Sequence, residues 1–197
     1  ERAARLETEH RLSQLANQSN DVLWMISADW DSLLFVNGAY EKVYGRSRER
    51  LREDPSDFLE AVHPEDRDAV RDVMERTSAG EETDIEYRVN EAEDYGRWVW
   101  VQAGPITDDD GTVTRVAGFT RDITERRAER RQLERVRDFF ENAERLGQLG
   151  AWEIDADGNT TWTAGTRRIH GVGEDFDPSV ESGLSFIHPD DRDRVRE

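Results

Sequence analysis

Cysteine is absent from the chain, which removes disulfides, thiolate metal sites, cysteine nucleophiles and cysteinyl-flavin adducts from consideration. Lysine is nearly absent too: Lys42 stands alone, and arginine supplies the rest of the 27 basic residues. No apolar run approaches the roughly 20 residues that a helical membrane span needs, and no secretory signal opens the sequence. The expectation is a soluble, cytoplasmic segment. Because the chain opens on Glu1 and stops inside the helical-looking stretch 190–197, it reads as a piece of a longer protein.

What is abundant is negative charge. The formal net charge is −18 over 197 residues, while 37% charged against 35% hydrophobic residues still permits one large or two small packed domains. An acidic coat of this kind repels a phosphate backbone, so nucleic acid is not an expected partner. At molar salt the screening length falls to about 3 Å, and the same coat would cost little there while holding hydration.

Residues 1–19 place Leu6, Leu12, Leu15 and Ala16 at helical spacing among charges, an amphipathic helix. Short apolar runs follow, Val22 to Ile26 and Leu33 to Val36, joined by the turn Ala28-Asp29-Trp30-Asp31, which predicts a hairpin. Asn37 is placed to cap a short helix that Gly45 ends, and further short helices are expected at Ser47 to Arg52 and Pro55 to Ala61. His63-Pro64-Glu65-Asp66 opens a longer helix ending at Gly80, with proline at its first position and both acids facing the positive end of its dipole. Ile85, Tyr87 and Val89 alternate with charged residues as in a half-buried strand. In the next strand, Arg97 to Ala103, Trp98 and Trp100 point one way while Val99 and Val101 point the other, so both faces need cover. Asp108-Asp109-Asp110-Gly111 turns the chain into a strand at Thr112 to Thr120.

From Ile123 to Gln148 arginines and acids alternate along a helix in which Leu133, Val136, Phe140 and Ala143 have the spacing of a coiled-coil seam. A helix packed on its own domain would give the same short signal. The sequence then repeats itself. His188-Pro189-Asp190-Asp191-Arg192 matches His63-Pro64-Glu65-Asp66-Arg67, and Trp152-Glu153-Ile154 matches Trp24-Met25-Ile26 at nearly the same offset. The boundaries expected are 1–19 for the first helix, 20–122 for a first domain, 123–148 for a linker helix and 149–197 for the opening part of a second, incomplete copy.

Asn37, Gly45, His63-Pro64-Glu65-Asp66-Arg67, Arg97-Trp98-Val99, Asp109-Asp110-Gly111 and Gly118-Phe119-Thr120-Arg121-Asp122-Ile123-Thr124-Glu125-Arg126 occur in an order that resembles the PAS domain family. The resemblance implies an α+β fold: a five-stranded antiparallel sheet with short helices on one face, flanked by N-terminal and linker helices. It also implies a sensory module of a histidine kinase or transcriptional regulator, with any catalytic output outside this segment. The lysine-poor acidity is similar to that of salt-loving archaea, although an acidic mesophilic protein reads alike.

Asp122 can cap the outgoing helix while Glu125 reaches back, so Asp122, Ile123 and Thr124 are the residues expected to transmit a signal. The alternative is a helix cap with no further role. A noncovalent small molecule could sit between sheet and helices, lined by Phe35, Tyr40, Tyr44, Phe58, Met74 and Tyr87, or these residues could simply fill a core. No cofactor is predicted. Leu12 and Leu15 with Trp98 and Trp100 suggest that the first helix covers the outer face of the sheet, alone or across a homodimer. His10, His63, His170 and His188 are few and scattered; His63 and His188 stand before helices, where a boundary role fits better than a metal site, and no catalytic set or phosphate loop stands out. A ligand-free dimerisation scaffold is the competing reading.

Overall fold

A computed structural model describes residues 14–196. The chain divides into two compact units, Glu1–Ala128 and Glu129–Glu197, and the boundary falls inside one long helix.

The first unit is α+β. Helix α1 is described over 14–18. Strands β1 (Val22–Ser27), β2 (Leu33–Val36), β3 (Thr83–Val89), β4 (Arg97–Thr107) and β5 (Val113–Asp122) form one antiparallel sheet in the order β2-β1-β5-β4-β3. Between β2 and β3 run α2 (Ala39–Tyr44), α3 (Arg48–Glu53), α4 (Phe58–Ala61) and α5 (Arg67–Ser78), which pack on one face of the sheet. Alternation sorts each strand. Val22, Trp24 and Ile26 face the helices together with Tyr87, Val99 and Val101, and Val99 is fully buried.

Two backbone details set this face. A bulge between Met25 and Ile26 pairs Met25 with Phe35 but Ile26 with Leu33, so Leu33 joins Val36 on the helix side, while Phe35, opposite Met25 and next to Val36, faces away by plain alternation. Gly45 ends α2 at φ 71, and a Cβ there would lie 2.4 Å from Asn90 Oδ1, so only glycine suits both the left-handed backbone and the close approach.

Asn37 does more than sit beside a helix start. Its side chain, 1% exposed, makes no capping bond to α2: the N-cap is Gly38. Instead its Oδ1 accepts from the Leu23 amide at 3.1 Å, and its Nδ2 donates to the Ala16 carbonyl at 2.7 Å and the Asp21 carbonyl at 2.9 Å. The reason is burial, since an amide side chain enclosed among backbone groups must satisfy both its donors and its acceptor. Asp66 is redirected in the same way. Its carboxylate takes Arg88 Nε at 2.9 Å and Nη2 at 2.7 Å, tying the start of α5 to β3 rather than serving the helix dipole alone.

The opposite sheet face carries Trp98, Trp100 and Phe119. Trp100 meets Phe119 edge-on at 5.3 Å, and guanidinium groups cover the rest: Arg121 lies 5.5 Å from the Phe119 ring and Arg127 3.8 Å from that of Trp98. Within the single chain Leu15 does not cover that face. It is 65% exposed, and α1 is held through Asn37 and through the Gly38 amide, which donates to Asn17 Oδ1. Leu12 lies outside the described residues.

Helix α6 (Thr124–Gly147) leads to the second unit, whose β6 (Trp152–Ile154) and β7 (Thr160–Trp162) form a two-stranded sheet followed by α7 (Ala164–His170), α8 (Val180–Ser185) and α9 (Arg192–Arg196). Asp155 closes the hairpin by accepting from the amides of Asp157 and Asn159. Local details echo the first unit. His63 Nδ1 accepts from the Glu65 amide, as His188 Nδ1 does from that of Asp190. Arg67 reaches back to the carbonyls of Val62 and Glu60, as Arg192 does to those of Ile187 and Ser185.

Candidate functional site

Between the sheet and helices α2 to α5 lies a cavity of about 70 Å³. Its walls carry no charged side chain. Of the expected lining residues, Tyr40, Tyr44, Phe58, Met74 and Tyr87 are there, and Phe35 is not, because it alternates along β2 with the inward-facing Val36. Sequence reasoning missed Trp24, Trp30 and Thr77. The even-numbered alternation of Val22, Trp24 and Ile26 was the available signal for the first. Trp30 had none: it reaches the wall from the β1–β2 turn at φ 64, held by its Nε1, which donates to Ser78 Oγ at 2.9 Å.

The polar groups of this wall form a chain. Trp24 Nε1 donates to Thr120 Oγ1 at 3.2 Å, Thr120 lies 3.3 Å from the Tyr44 hydroxyl, and Tyr44 lies 2.8 Å from the Tyr87 hydroxyl. Burial pushes the phenols of Tyr44 and Tyr87 above the usual tyrosine range, so both remain protonated donors. Tyr40 stacks on Tyr44 with ring centroids 4.9 Å apart. Its phenol is also raised by burial, and its hydroxyl is buried without a hydrogen-bond partner. Beneath it, Arg46 grips Asp57 through two bonds of 2.7 and 2.5 Å, which holds the Asp57 carboxyl below its usual range.

Strand β5 joins this cavity to the start of α6, for Thr120 is in the polar chain and Asp122 ends the strand two residues on. The Asp122 carboxylate accepts from the Thr124 amide at 2.9 Å and from the Thr124 hydroxyl at 2.6 Å, and it pairs with Arg97 at 3.1 Å. Thr124, not Glu125, closes this cap, because its hydroxyl is at the same time the acceptor for the Trp98 amide at 2.9 Å. The Ile123 amide donates to the Trp98 carbonyl at 2.9 Å, and Ile123 is 6% exposed. Trp98 thus uses both backbone groups to hold the helix start, while Arg127, one turn on, stacks on its ring and pairs with Glu86. Arg127 was not among the expected transmitting residues. Trp98 was expected on a dimer face, and it acts here within its own unit.

At the far end of α6, the Glu144 carboxylate is buried among donors. The Thr163 hydroxyl, the Gly165 amide at 3.1 Å and the Ala151 amide at 3.2 Å all donate to it, and these bonds hold its pKa below the usual carboxylate value. Among the described residues no group of three acidic, histidine or cysteine side chains is placed to hold a metal ion, and no helix is long and apolar enough to cross a membrane.

A tyrosine-walled cavity under one antiparallel sheet, with a helix keyed to the sheet's last strand, defines an α+β domain that joins a core to an outgoing helix. The PAS fold family matches residues 33–120. A crystallised domain assigned to a light and redox sensing histidine kinase of Haloarcula marismortui is 50% identical, covers 58% of this chain and 99% of its own, and superposes with a TM-score of 0.52. A sensory box histidine kinase/response regulator of Burkholderia thailandensis shares the fold at 21% identity and a TM-score of 0.51, covering 67% of this chain and 98% of its own. The sensor protein FixL of Bradyrhizobium diazoefficiens is 35% identical over 69 residues, which are 34% of this chain and 14% of FixL. The bacterioopsin transcriptional activator of Halobacterium salinarum is 26% identical over 132 residues, 66% of this chain and 19% of its own length. This chain therefore spans less than a fifth of either curated relative. It belongs to the PAS family.

Proposed function

We propose that residues 20–122 are a sensory PAS domain of a cytoplasmic signalling protein, a histidine kinase or a transcriptional regulator, and that α6 relays its state to an output module of the same protein. The observation that carries this reading is the two-residue separation on β5 between Thr120 in the cavity's polar chain and Asp122 at the cap of α6. A shift of β5 of even a few tenths of an ångström moves both hydrogen-bond sets at once, since packed elements transmit strain rather than absorb it. The segment itself has a relay role and no catalytic one, and nucleic acid is not its partner.

Residues 149–197 are the opening part of another PAS copy in this reading; the matching histidine and arginine bonds of the two units support it. The chain forms a homodimer through α6, on which Leu133 is 71%, Val136 54% and Phe140 51% exposed. The acidic, lysine-poor coat suits a halophilic archaeon.

Amide exchange measured on the full chain tests the relay. Thr120→Val deletes the middle of the polar chain while keeping side-chain volume, and exchange at residues 124–127 is expected to change with it. Unchanged exchange there, with the sheet intact, would favour the ligand-free scaffold, the reading for which the smallness of the cavity speaks.

A further inference from the structure

We propose that Asn37-Gly38 is a site of spontaneous deamidation that α1 holds closed, and that the reaction, once it has occurred, detaches α1 from the sheet irreversibly. The inference does not depend on the relay through α6.

Chemistry singles out this dipeptide. Asn37 is the one asparagine of the chain that precedes a glycine, a residue with no side chain to hinder attack by its backbone nitrogen. In the reaction the Gly38 nitrogen gives up its proton to base and attacks Asn37 Cγ. An N–C bond forms, the Cγ–Nδ2 bond breaks, and Nδ2 takes a proton from water and leaves as ammonia. Water then opens the succinimide on either side, to aspartate or to isoaspartate. Nothing is oxidised or reduced, and water is the only co-reactant.

The fold blocks ring closure at both reacting groups. The Gly38 amide, which must lose its proton, donates to Asn17 Oδ1 at 2.8 Å. Asn37 Cγ must swing towards that nitrogen, yet the side chain is fixed by the Leu23 amide at 3.1 Å and by the carbonyls of Ala16 at 2.7 Å and Asp21 at 2.9 Å. Two of these four bonds end on α1, at Ala16 and Asn17, so lifting α1 loosens nucleophile and electrophile together while the sheet stays folded. The product cannot take α1 back. An aspartate accepts where Nδ2 donated, so the Ala16 and Asp21 carbonyls would face an anionic oxygen at a position that is 1% exposed in the native chain. The other carboxylate oxygen still serves the Leu23 amide, which keeps β1 in place.

The full chain incubated at mildly alkaline pH, with Asn37 followed by peptide mass spectrometry and isoaspartate detection, tests the proposal. Wild type should react roughly tenfold or more slowly than the same chain in urea, since two neutral hydrogen bonds to α1 must open first. Asn17→Ala frees the Gly38 amide and should speed the reaction roughly fivefold, the worth of one such bond, whereas Asn17→Asp keeps an acceptor there and stays near wild type. In Asn37→Asp, which reproduces one product, the Ser19 amide that donates to the Ala16 carbonyl should exchange faster while the Leu23 amide keeps its protection. Wild type matching the urea rate, or Asn17→Ala reacting no faster than wild type, overturns the gating. So does an acceleration in Asn17→Ala that merely tracks lost protection in β3 and β4, which would mean global unfolding. A Ser19 amide still protected in Asn37→Asp, or Leu23 exchanging as fast as Ser19, overturns the release of α1.

Discussion

Removing the Asp122 carboxylate should loosen the first turn of α6 without unfolding the sheet. Asp122→Ala deletes the acceptor of the Thr124 amide and hydroxyl and the partner of Arg97. Loss of an N-cap side chain costs about 0.5–2 kcal/mol. The Arg97 pair adds little, because Asp122 is 33% exposed and such pairs are worth about 0–1 kcal/mol. The sum, about 1–2 kcal/mol, is local, since Ile123 and Trp98 keep their own backbone bond. Amides of residues 124–127 should therefore exchange roughly 5–30 times faster, the factor that 1–2 kcal/mol represents. Amides of β3 and the middle of β4 should keep their protection. Asp122→Asn retains most of the cap, because asparagine caps about as well as aspartate, and should fall near wild type. Native-state hydrogen exchange resolves the three proteins. Equal acceleration across the whole sheet, or none at 124–127 in the alanine variant, would refute the view that this carboxylate governs the helix start.

Asn37→Ala should destabilise the first unit by about 2–4 kcal/mol, because it orphans the buried Leu23 amide and removes two further bonds; urea unfolding followed by the exchange of β1 measures it, and a loss below about 1 kcal/mol would contradict the three-bond geometry. Acid should loosen the end of α6 through Glu144. Its folded-state pKa lies below the ordinary 4.5, so its contribution is complete above that value and is lost as pH falls through the folded pKa. Protection factors at Ala151 and Gly165, taken relative to intrinsic exchange at each pH, should fall across that window in wild type and stay level in Glu144→Gln; a level wild-type profile would count against the carboxylate as the acceptor.

Helix α1 and the far end of α6 are anchored by related means with the parts exchanged. In the first unit a strand-end amide, Asn37, reaches to a helix carbonyl and to the Leu23 amide. In the second, a helix carboxylate, Glu144, reaches to the amides of Gly165 and Ala151. A helix held by hydrogen bonds from one buried side chain is coupled to that side chain.

Periodicity sufficed for much of this protein. Alternation in Ile85 to Val89 and Arg97 to Ala103, proline after His63 and glycine at position 45 are local signals, and local sterics and burial decide those features within a few residues. The order of elements, and with it the α+β fold, was legible for the same reason. Tertiary structure decided what depends on pairing across the chain. The bulge that turns Leu33, not Leu34, into the cavity wall is a property of two strands together. The bond from Trp24 to Thr120 joins residues 96 positions apart, and Arg127 finds Trp98 only once α6 has returned along β4. Asp122 announced itself as a cap from its position before a helix. That its partner is Thr124, and that Thr124 also serves Trp98, follows from β5 running two residues beyond Thr120 in the sheet, a register that hydrogen bonding between strands sets and side-chain pattern does not.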